Sequence, residues 1–252
     1  MSDRPQRLDR RIVAEGLAES RSRAQEMIRA GLVVVDGRPA SRAGRLVGGA
    51  SRVELMPGAP RWVSRAALKL EHALDSFGLT PRGVALDLGA STGGFTEVLL
   101  ARGAAHVWAL DVGHGQLHPR LRDDPRVTAI EGVNARDLSA DMVPPPDWIT
   151  CDVSFIGLEK ALPPALALAR PGAVLVALIK PQFEAGPEHV GRGGIVRDPA
   201  VHGAVRERIA GFLSASGWTV THRGDSPIAG ADGNREFLIA ARKKGAPATG
   251  DG

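Results

Sequence analysis

Residues 87–100 read DLGASTGGFTEVLL, and this stretch decides the fold that the sequence predicts. An acid stands in the apolar run 83–89, a glycine-rich turn follows, and a helical run begins near residue 95. This order is typical of a nucleotide-type cofactor site at the first strand of an α/β sheet. The turn has neither the G-x-G-x-x-G spacing of dinucleotide sites nor the lysine of a P-loop. A purely structural glycine-rich turn is the alternative.

The acids around the turn indicate the kind of cofactor. Asp87 disfavours a pyrophosphate and suits a cation, such as the amino and sulfonium groups of S-adenosylmethionine. Asp111 ends the next strand 24 residues later, close to where a carboxylate binds ribose hydroxyls in the dinucleotide version. Asn134 is a candidate for adenine, with a turn asparagine without a ligand as its alternative. The predicted cofactor residues are Asp87, Gly89, Ser91, Thr92, Gly93, Gly94, Phe95, Asp111, Asn134 and Asp152.

Seven short apolar runs continue this pattern along the chain. They span residues 83–89, 105–113, 126–132, 147–154, 173–181, 218–224 and 236–243, with helical runs such as 95–103, 158–172 and 199–217 between them. Strands that alternate with helices predict the α/β class and a Rossmann-like sheet of seven strands with helices on both faces. Since no helix separates the last two strands, one of them is expected to run antiparallel.

The first 60 residues follow a different pattern. Helical spacing over 7–18 precedes a second short helix, and LVVVDGRPA (32–40) predicts a hairpin around Asp36-Gly37. A further strand or two over 45–56 completes a small α+β domain. We predict this domain at 1–58, a linker and first helix carrying Lys69 at 59–81, the sheet domain at 82–244 and a disordered tail at 245–252.

The net charge of +4 is concentrated in that small domain. Residues 1–60 carry 11 arginines, no lysine and seven acids, so the rest of the chain is formally neutral. A basic module beside a neutral one indicates a nucleic-acid partner, although a solvated surface is the simpler alternative. The candidates for RNA contact are the arginines crowded onto the two helices: Arg7, Arg10, Arg11, Arg21, Arg23 and Arg29.

Composition argues against several other classes of protein. The mean hydropathy is −0.07, and no stretch approaches the roughly 18 apolar residues that a membrane helix requires. The charged first residues do not resemble a secretory signal, and Cys151 alone cannot form an internal disulfide. We expect a cytoplasmic protein without a membrane or metal requirement.

The pattern of the first domain, with RLD at 7–9, SR at 22–23 and glycines at 31 and 37, resembles the αL-motif RNA-binding domain named after small-subunit ribosomal protein S-four. The resemblance implies RNA as the partner. A helix-turn-helix DNA reader is the alternative, and the hairpin directly after the second helix argues against it.

Most of the chain is similar to the TlyA family, whose members were once called hemolysins. The resemblance is carried by the segments 87–104, 109–117, 126–138, 151–156, 179–186, 193–198 and 230–238. It implies an FtsJ-like catalytic domain that methylates a ribose 2′-hydroxyl, of cytidine, in ribosomal RNA on ribosomal subunits, with S-adenosylmethionine as cofactor. The sequence departs from the family at His114, where tyrosine is common, and at Ala66-Ala67, where Gly-Gly is usual.

By its motifs, the resemblance also implies a reacting set of Lys69, Asp152, Lys180 and Glu236. The chain has 5 lysines against 27 arginines, and lysine, unlike arginine, can lose its proton in a protein. We expect Lys180 to contact the 2′-hydroxyl, either removing its proton or only positioning it. The further candidates for RNA contact near this set are Arg65, Arg192 and Arg197.

Two other functions stay open at this point. One is an RNA-binding ribosome-assembly factor with a vestigial cofactor fold, which would be expected to lack a reacting residue. The other is an RNA base methyltransferase, whose ring nitrogen or carbon targets need different groups. All four residues of the reacting set are present, which disfavours both.

Overall fold

The computed structural model describes residues 5–15, 17–18, 21–29, 31–56, 62–230 and 232–245, without the side chains of residues 22, 23 and 26. Residues 59–61 of the expected linker and residues 246–252 of the expected tail lie outside these residues. The chain divides into two compact units, Met1–Arg61 and Trp62–Gly252. Each is described by itself.

The first unit is a small α+β fold. Its elements are β1 (Gln6–Arg7), α1 (Leu8–Ala14), α2 (Arg21–Arg29), β2 (Val33–Val35), β3 (Arg38–Pro39), β4 (Leu46–Val47) and β5 (Val53–Leu55). Strand β2 pairs antiparallel with β3 and β5, and β1 pairs with β4. The predicted hairpin is confirmed, since Asp36 and Gly37 have φ values of 52° and 76°, which suit a two-residue turn. Apolar side chains from both helices and from β2 form its core.

The second unit is an α/β fold. Its elements are α3 (Ala67–Ser76), β6 (Val84–Leu88), α4 (Gly94–Ala101), β7 (His106–Asp111), α5 (Pro119–Arg122), β8 (Val127–Glu131), β9 (Trp148–Cys151), α6 (Leu158–Ala161), α7 (Pro163–Leu168), β10 (Val174–Ile179), α8 (Pro181–Glu184), α9 (Pro199–Ala215), β11 (Trp218–Asp225) and β12 (Phe237–Lys243). Two short 3₁₀ turns, Ala135–Asp137 and Pro187–His189, lie between them.

The seven strands form one sheet in the order β11-β12-β10-β9-β6-β7-β8. Strands β6 to β10 run parallel, and β12 runs antiparallel to both of its neighbours, which confirms the expected antiparallel strand. From β6 the chain continues to β7 and β8 on one side of the sheet and then to β9 and β10 on the other side. The carboxyl ends of β6 and β9 therefore flank the switch point where such sheets bind ligands.

Helices cover both faces of the sheet, as the strand and helix alternation predicts. Leu86, Leu88 and their neighbours pack with α6, α7 and α9, whereas Ala85 and the other face pack with α3 and α4. Every residue of β10 is buried, which is typical of a central parallel strand. The fold class is therefore the predicted Rossmann-like α/β sheet.

The helical run predicted over 158–172 forms two short helices, α6 and α7, instead of one. The second begins at Pro163, whose ring blocks a continuous hydrogen-bonded ladder but suits the first turn of a helix. The break leaves α6 as a single turn directly after the loop that follows β9.

Candidate active site

Four charged side chains meet at the carboxyl edge of the parallel strands. Asp152 follows β9 and Lys180 follows β10, so parallel pairing brings them to the same edge. Glu236 precedes β12, which runs in the opposite direction, and the pairing of Ile179 with Phe237 places its start beside the end of β10. Lys69 comes from the first turn of α3. The structure thus brings together the four residues that the sequence predicts as a reacting set.

These side chains form two ion pairs. Lys69 Nζ lies 2.5 Å from Glu236 Oε2, and Lys180 Nζ lies 2.7 Å from Asp152 Oδ1. Both lysines are 7% exposed. Burial raises the pKa of the Glu236 carboxyl, while Lys69 and Lys180 act against that shift. The site therefore holds two buried cations whose charges are balanced by two carboxylates.

The ammonium of Lys180 is enclosed by oxygens. Besides the contact with the Asp152 carboxylate, Nζ donates to the Asp152 carbonyl oxygen at 3.2 Å and to Ser154 Oγ at 3.0 Å. These three oxygens surround Nζ, and two of them accept its hydrogen bonds. A substrate hydroxyl that contacts Nζ can replace Ser154 Oγ, because Ser154 is exposed and its hydroxyl is uncharged.

The glycine-rich turn after β6 approaches the end of β9 closely. Gly89 has a φ of 79°, and a Cβ there would lie 3.0 Å from the Asp152 carbonyl carbon and oxygen. Gly93 has a φ of 95° and leads directly into α4. Glycine is required at both positions because other residues rarely adopt this conformation.

Asp87 does not lie where the sequence reasoning expects it. Its side chain is fully buried, accepts hydrogen bonds from Thr96 Oγ1 at 2.7 Å and Thr150 Oγ1 at 2.8 Å, and lines no cavity of the site. Burial raises the pKa of Asp87 to about 6, although both threonines act against the shift. Asp87 therefore ties β6 to α4 and β9 beneath the turn and does not line the cavities of the site.

Asp111 and Asn134 lie on the ligand side of the turn. Asp111 accepts hydrogen bonds from the backbone N–H of Ser91 at 2.8 Å and of Gly113 at 2.7 Å, which leaves lone pairs on both oxygens for other donors. Asn134 Oδ1 accepts from the backbone N–H of Arg136 at 3.2 Å and so caps a 3₁₀ turn. Its amide nitrogen has no hydrogen bond among the described residues.

Three adjoining cavities open around these groups. The loop cavity, about 440 Å³, is lined by Asp111, Asn134 and Phe155, and the central cavity, about 300 Å³, by Lys69, Asp152 and Lys180. The outer cavity, about 570 Å³, is lined by both lysines and Glu236. Of the predicted cofactor residues, eight line the loop or central cavity: Gly89, Ser91, Thr92, Gly94, Phe95, Asp111, Asn134 and Asp152.

Phe155 is a site residue that the sequence reasoning missed. It is 91% exposed, lines both the loop cavity and the outer cavity, and has a φ of 65°. Its ring lies 5.1 Å from that of Phe183, at 48°. A left-handed backbone is costly for a bulky residue, and such strain clusters at functional sites. The sequence shows that Phe155 follows Asp152 within CDVSFI, but only the structure shows that its ring is exposed.

The three arginines predicted near the reacting set have different surroundings. Arg65 is exposed and lines the central cavity. Arg192 and Arg197 are exposed in a loop beside the outer cavity. In that loop the Gly194 oxygen accepts a hydrogen bond from the buried side chain of Asn234 at 2.9 Å, and the Val196 N–H donates one to it at 3.0 Å. These hydrogen bonds thus fasten the loop to the segment before β12 that carries Glu236.

In the first unit, three of the six arginines predicted to contact RNA form ion pairs with acidic side chains. Asp9 is fully buried and accepts from Arg7 Nε at 3.1 Å, Arg21 at 3.1 Å and Gln25 at 3.0 Å. The Arg7 guanidinium holds the pKa of the Asp9 carboxyl well below its usual range. Arg11 pairs with Glu15.

The other predicted contacts of this unit differ. Arg10 and Arg29 are exposed, and neither forms an ion pair within the described part of the chain. The side chain of Arg23 lies outside the described residues. Among the described side chains of the predicted set, Arg10 and Arg29 are thus the exposed arginines without an ion pair.

Neither a membrane-spanning helix nor a metal-binding group is present among the described residues. None of their helices combines the length and apolarity needed to span a bilayer. The same residues contain no group of three His, Cys, Asp or Glu side chains suited to a metal ion.

The chain matches two family models. Residues 62–243 match the FtsJ-like methyltransferase family, and residues 6–53 match the S4 domain. The chain is 44% identical to the 16S/23S rRNA (cytidine-2′-O)-methyltransferase TlyA of Mycobacterium tuberculosis, over 94% of this chain and 89% of the relative. It is 41% identical to hemolysin A of Brachyspira hyodysenteriae, over 92% and 98% of the two chains.

A solved structure of similar architecture is a hemolysin-like protein from Streptococcus thermophilus. It superposes with a TM-score of 0.75 at 39% identity and covers 98% of this chain and 91% of its own.

Proposed function

The chain belongs to the FtsJ-like methyltransferase family, and from this premise we propose that it methylates a ribose 2′-hydroxyl in ribosomal RNA. The observation that carries the proposal is the meeting of Lys69, Asp152, Lys180 and Glu236 at a sheet edge that also carries a cofactor-type turn. We place the protein in the cytoplasm, on ribosomal subunits, with a cytidine as its target.

The residues present fit S-adenosylmethionine. The loop and central cavities share Gly89, Ser91 and Asp152, so a ligand can extend from the acid at the end of β7 to the reacting set. When bound, S-adenosylmethionine supplies a methyl group activated by a sulfonium cation, a reaction partner for a ribose oxygen. Asp111 is suited to ribose hydroxyls, and Asp152 places a carboxylate where the cationic end would lie.

The chain's own residues handle the hydroxyl. Lys180 lines both the central and the outer cavity. It therefore lies between a ribose that enters through the outer cavity and a cofactor in the central cavity. We assign to Lys180 the contact with the 2′-hydroxyl. In its neutral amine form, Lys180 accepts the hydroxyl proton as the oxygen gains its methyl group. Asp152 holds Lys180, and Glu236 holds Lys69, whose charge lies beside the same space.

Replacing Asp111 by alanine is expected to weaken S-adenosylmethionine binding roughly 10- to 150-fold, the worth of hydrogen bonds to a charged group. Calorimetry on wild type and Asp111→Ala measures this, with thermal unfolding to show that the turn anchored by Ser91 and Gly113 survives. Tighter binding of NAD than of S-adenosylmethionine to the wild-type chain would contradict this assignment of the turn.

Phe155 is suited to stack on the base of the target nucleotide, because its exposed ring borders the cavity on each side of the reacting set. Stacking is worth about 1–3 kcal/mol per base, so Phe155→Ala should lower kcat/KM for RNA roughly 5- to 150-fold. Phe155→Trp should retain activity, whereas Phe155→Leu should resemble alanine. Equal activity of all three variants would exclude stacking.

RNA anchoring is assigned to the first unit and chemistry to the second. Arg10→Ala and Arg29→Ala should each weaken RNA binding and lower the slope of log K against log salt by about one. Arg52→Ala is the matched control, since it removes one charge from an exposed arginine that is already paired with Glu54 at 2.8 Å. Filter binding across a salt series is the measurement, and an equal loss for Arg52→Ala would show that only overall charge matters.

Nucleoside mass spectrometry tests the proposal as a whole. Ribosomal subunits treated with the protein and S-adenosylmethionine should contain more 2′-O-methylcytidine than untreated subunits. A methyl group on the base would favour the base methyltransferase. Binding to ribosomal RNA without any methyl transfer would favour the assembly factor.

A further inference from the structure

Glu184 is a buried carboxylate that the reaction described above does not use. It ends α8, four residues after Lys180, and its side chain is 3% exposed. It lines none of the three cavities of the site. Burial raises the pKa of its carboxyl, which shows that ionising it at this place has a desolvation cost.

The contacts of Glu184 reach the loop that follows Asp152. Its Oε1 accepts a hydrogen bond from the Leu158 N–H at 2.7 Å, and a Cβ at Gly157 would lie 3.0 Å from Oε2. Arg208, in α9, donates to the Glu184 carbonyl oxygen at 2.7 Å and lies 3.3 Å from Oε2. The carboxylate therefore joins α8, α9 and the start of α6.

The same loop is attached to the β10–α8 segment at its other end. Lys180 Nζ donates to the Asp152 carbonyl and to Ser154 Oγ, while the rings of Phe155 and Phe183 are in contact between these points. Residues 152–158 are thus fixed to residues 180–184 at the beginning, the middle and the end. Glu184 supplies the attachment at the end.

We propose that Glu184 is a positioning residue for methyl transfer, which holds the loop 152–158 so that Asp152 and Phe155 meet the substrate in their reactive places. This inference rests on the proposed function. The competing role is a helix cap, because Gly157 offers no side chain to the first turn of α6 and Glu184 replaces it. A cap alone contributes to stability and leaves the rate of the folded enzyme unchanged.

Three substitutions distinguish the effect of the length of the Glu184 side chain from the effect of its charge. Glu184→Gln keeps an oxygen acceptor for the Leu158 N–H but loses the charge beside Arg208. Glu184→Asp keeps the charge but is one methylene shorter, and Glu184→Ala loses both. Glu159→Gln is the control, since Glu159 is exposed and contacts only the other side of Arg208, at 3.2 Å.

The measurement is the rate of single-turnover methyl transfer to ribosomal RNA. RNA and S-adenosylmethionine are saturating, and the temperature is well below the unfolding midpoint of each variant. Glu184→Ala and Glu184→Asp should slow transfer roughly 10- to 100-fold, the scale of a misplaced reacting group. Their affinity for S-adenosylmethionine should change little. Glu184→Gln should retain most of the rate, and Glu159→Gln should equal wild type.

Wild-type rates in Glu184→Asp and Glu184→Ala would overturn the inference and leave Glu184 as a cap. A loss in Glu184→Gln as large as in Glu184→Asp would also overturn it, since charge would then decide. If Glu184→Ala does not fold, the comparison of the Gln and Asp variants decides alone. Absence of transfer by the wild-type chain would overturn the proposed function, and this inference with it.

Discussion

Lys180→Arg is expected to slow methyl transfer by roughly two to four orders of magnitude, the usual worth of general acid–base catalysis. Arginine keeps the positive charge, but it cannot give up its proton in a protein, so it cannot accept one from the 2′-hydroxyl. Affinity for S-adenosylmethionine and for RNA should change little, because the charge beside Asp152 remains. Single-turnover transfer, measured beside calorimetry and filter binding, separates the rate from the two affinities.

Lys69→Arg is the matched control for that experiment. Lys69 has the same exposure and a comparable ion pair, with Glu236, but the contact with the hydroxyl is assigned to Lys180. Its replacement by arginine should therefore be much milder. Near-normal transfer by Lys180→Arg would show that Lys180 acts only through its charge, and proton removal would then pass to water or to Asp152.

Glu236→Ala is expected to lower the free energy of unfolding by about 3–5 kcal/mol, because it leaves Lys69 buried without its carboxylate. In a unit of this size, that loss corresponds to a fall in Tm of roughly 10 °C. The double variant Lys69→Met with Glu236→Ala should recover much of the loss, since it removes the unpaired charge as well. Calorimetric unfolding of the four members of this cycle gives the coupling energy directly.

The control for this cycle is Glu207→Ala. Glu207 pairs with Arg223 at 2.5 Å, but its side chain is 71% exposed, so its loss should cost only about 0–1 kcal/mol. If Glu236→Ala were no more destabilising than Glu207→Ala, the Lys69–Glu236 pair would have to be solvated in solution. In that case its part in fixing the reacting set would be small.

Much of the site could be predicted because parallel strands end at one edge of a sheet. Asp111, Asp152 and Lys180 each stand at or directly after an apolar run, so the strand pattern places them together without further information. The partner of each lysine, by contrast, depends on side-chain packing that strand order does not determine.

Asp87 shows where the reasoning from strand ends fails. Side chains alternate along a strand, and Leu86 and Leu88 point into one core while Ala85 belongs to the other. Asp87 therefore points beneath α4, where Thr96 and Thr150 bind it. The apolar run predicts where along its strand Asp87 lies, but it does not show which helix packs on the face to which the side chain points.

The ion pairs of the arginines in the first unit were not predictable, for a different reason. Charge counts treat every arginine alike, whereas Asp9 accepts from two arginines that lie on either side of it in sequence, Arg7 and Arg21. This arrangement depends on how α1 and α2 meet, which residue spacing within each helix does not give. The break at Pro163, on the other hand, could have been predicted from the proline alone.

The reversed direction of β12 has a consequence for protein synthesis. Lys69 and Glu236 are separated by 167 positions in sequence, and Glu236 is the last of the four reacting residues to leave the ribosome. Until it does, the nascent chain carries Lys69 without its counter-charge, and the central strand β10 still lacks the neighbour that covers its open edge. Chains folding from the N-terminal end thus assemble the turn and three reacting residues first, and only a nearly finished chain completes the set. We therefore expect a chain that ends before residue 236 to be inactive, because it lacks both the carboxylate beside Lys69 and the strand that pairs with β10.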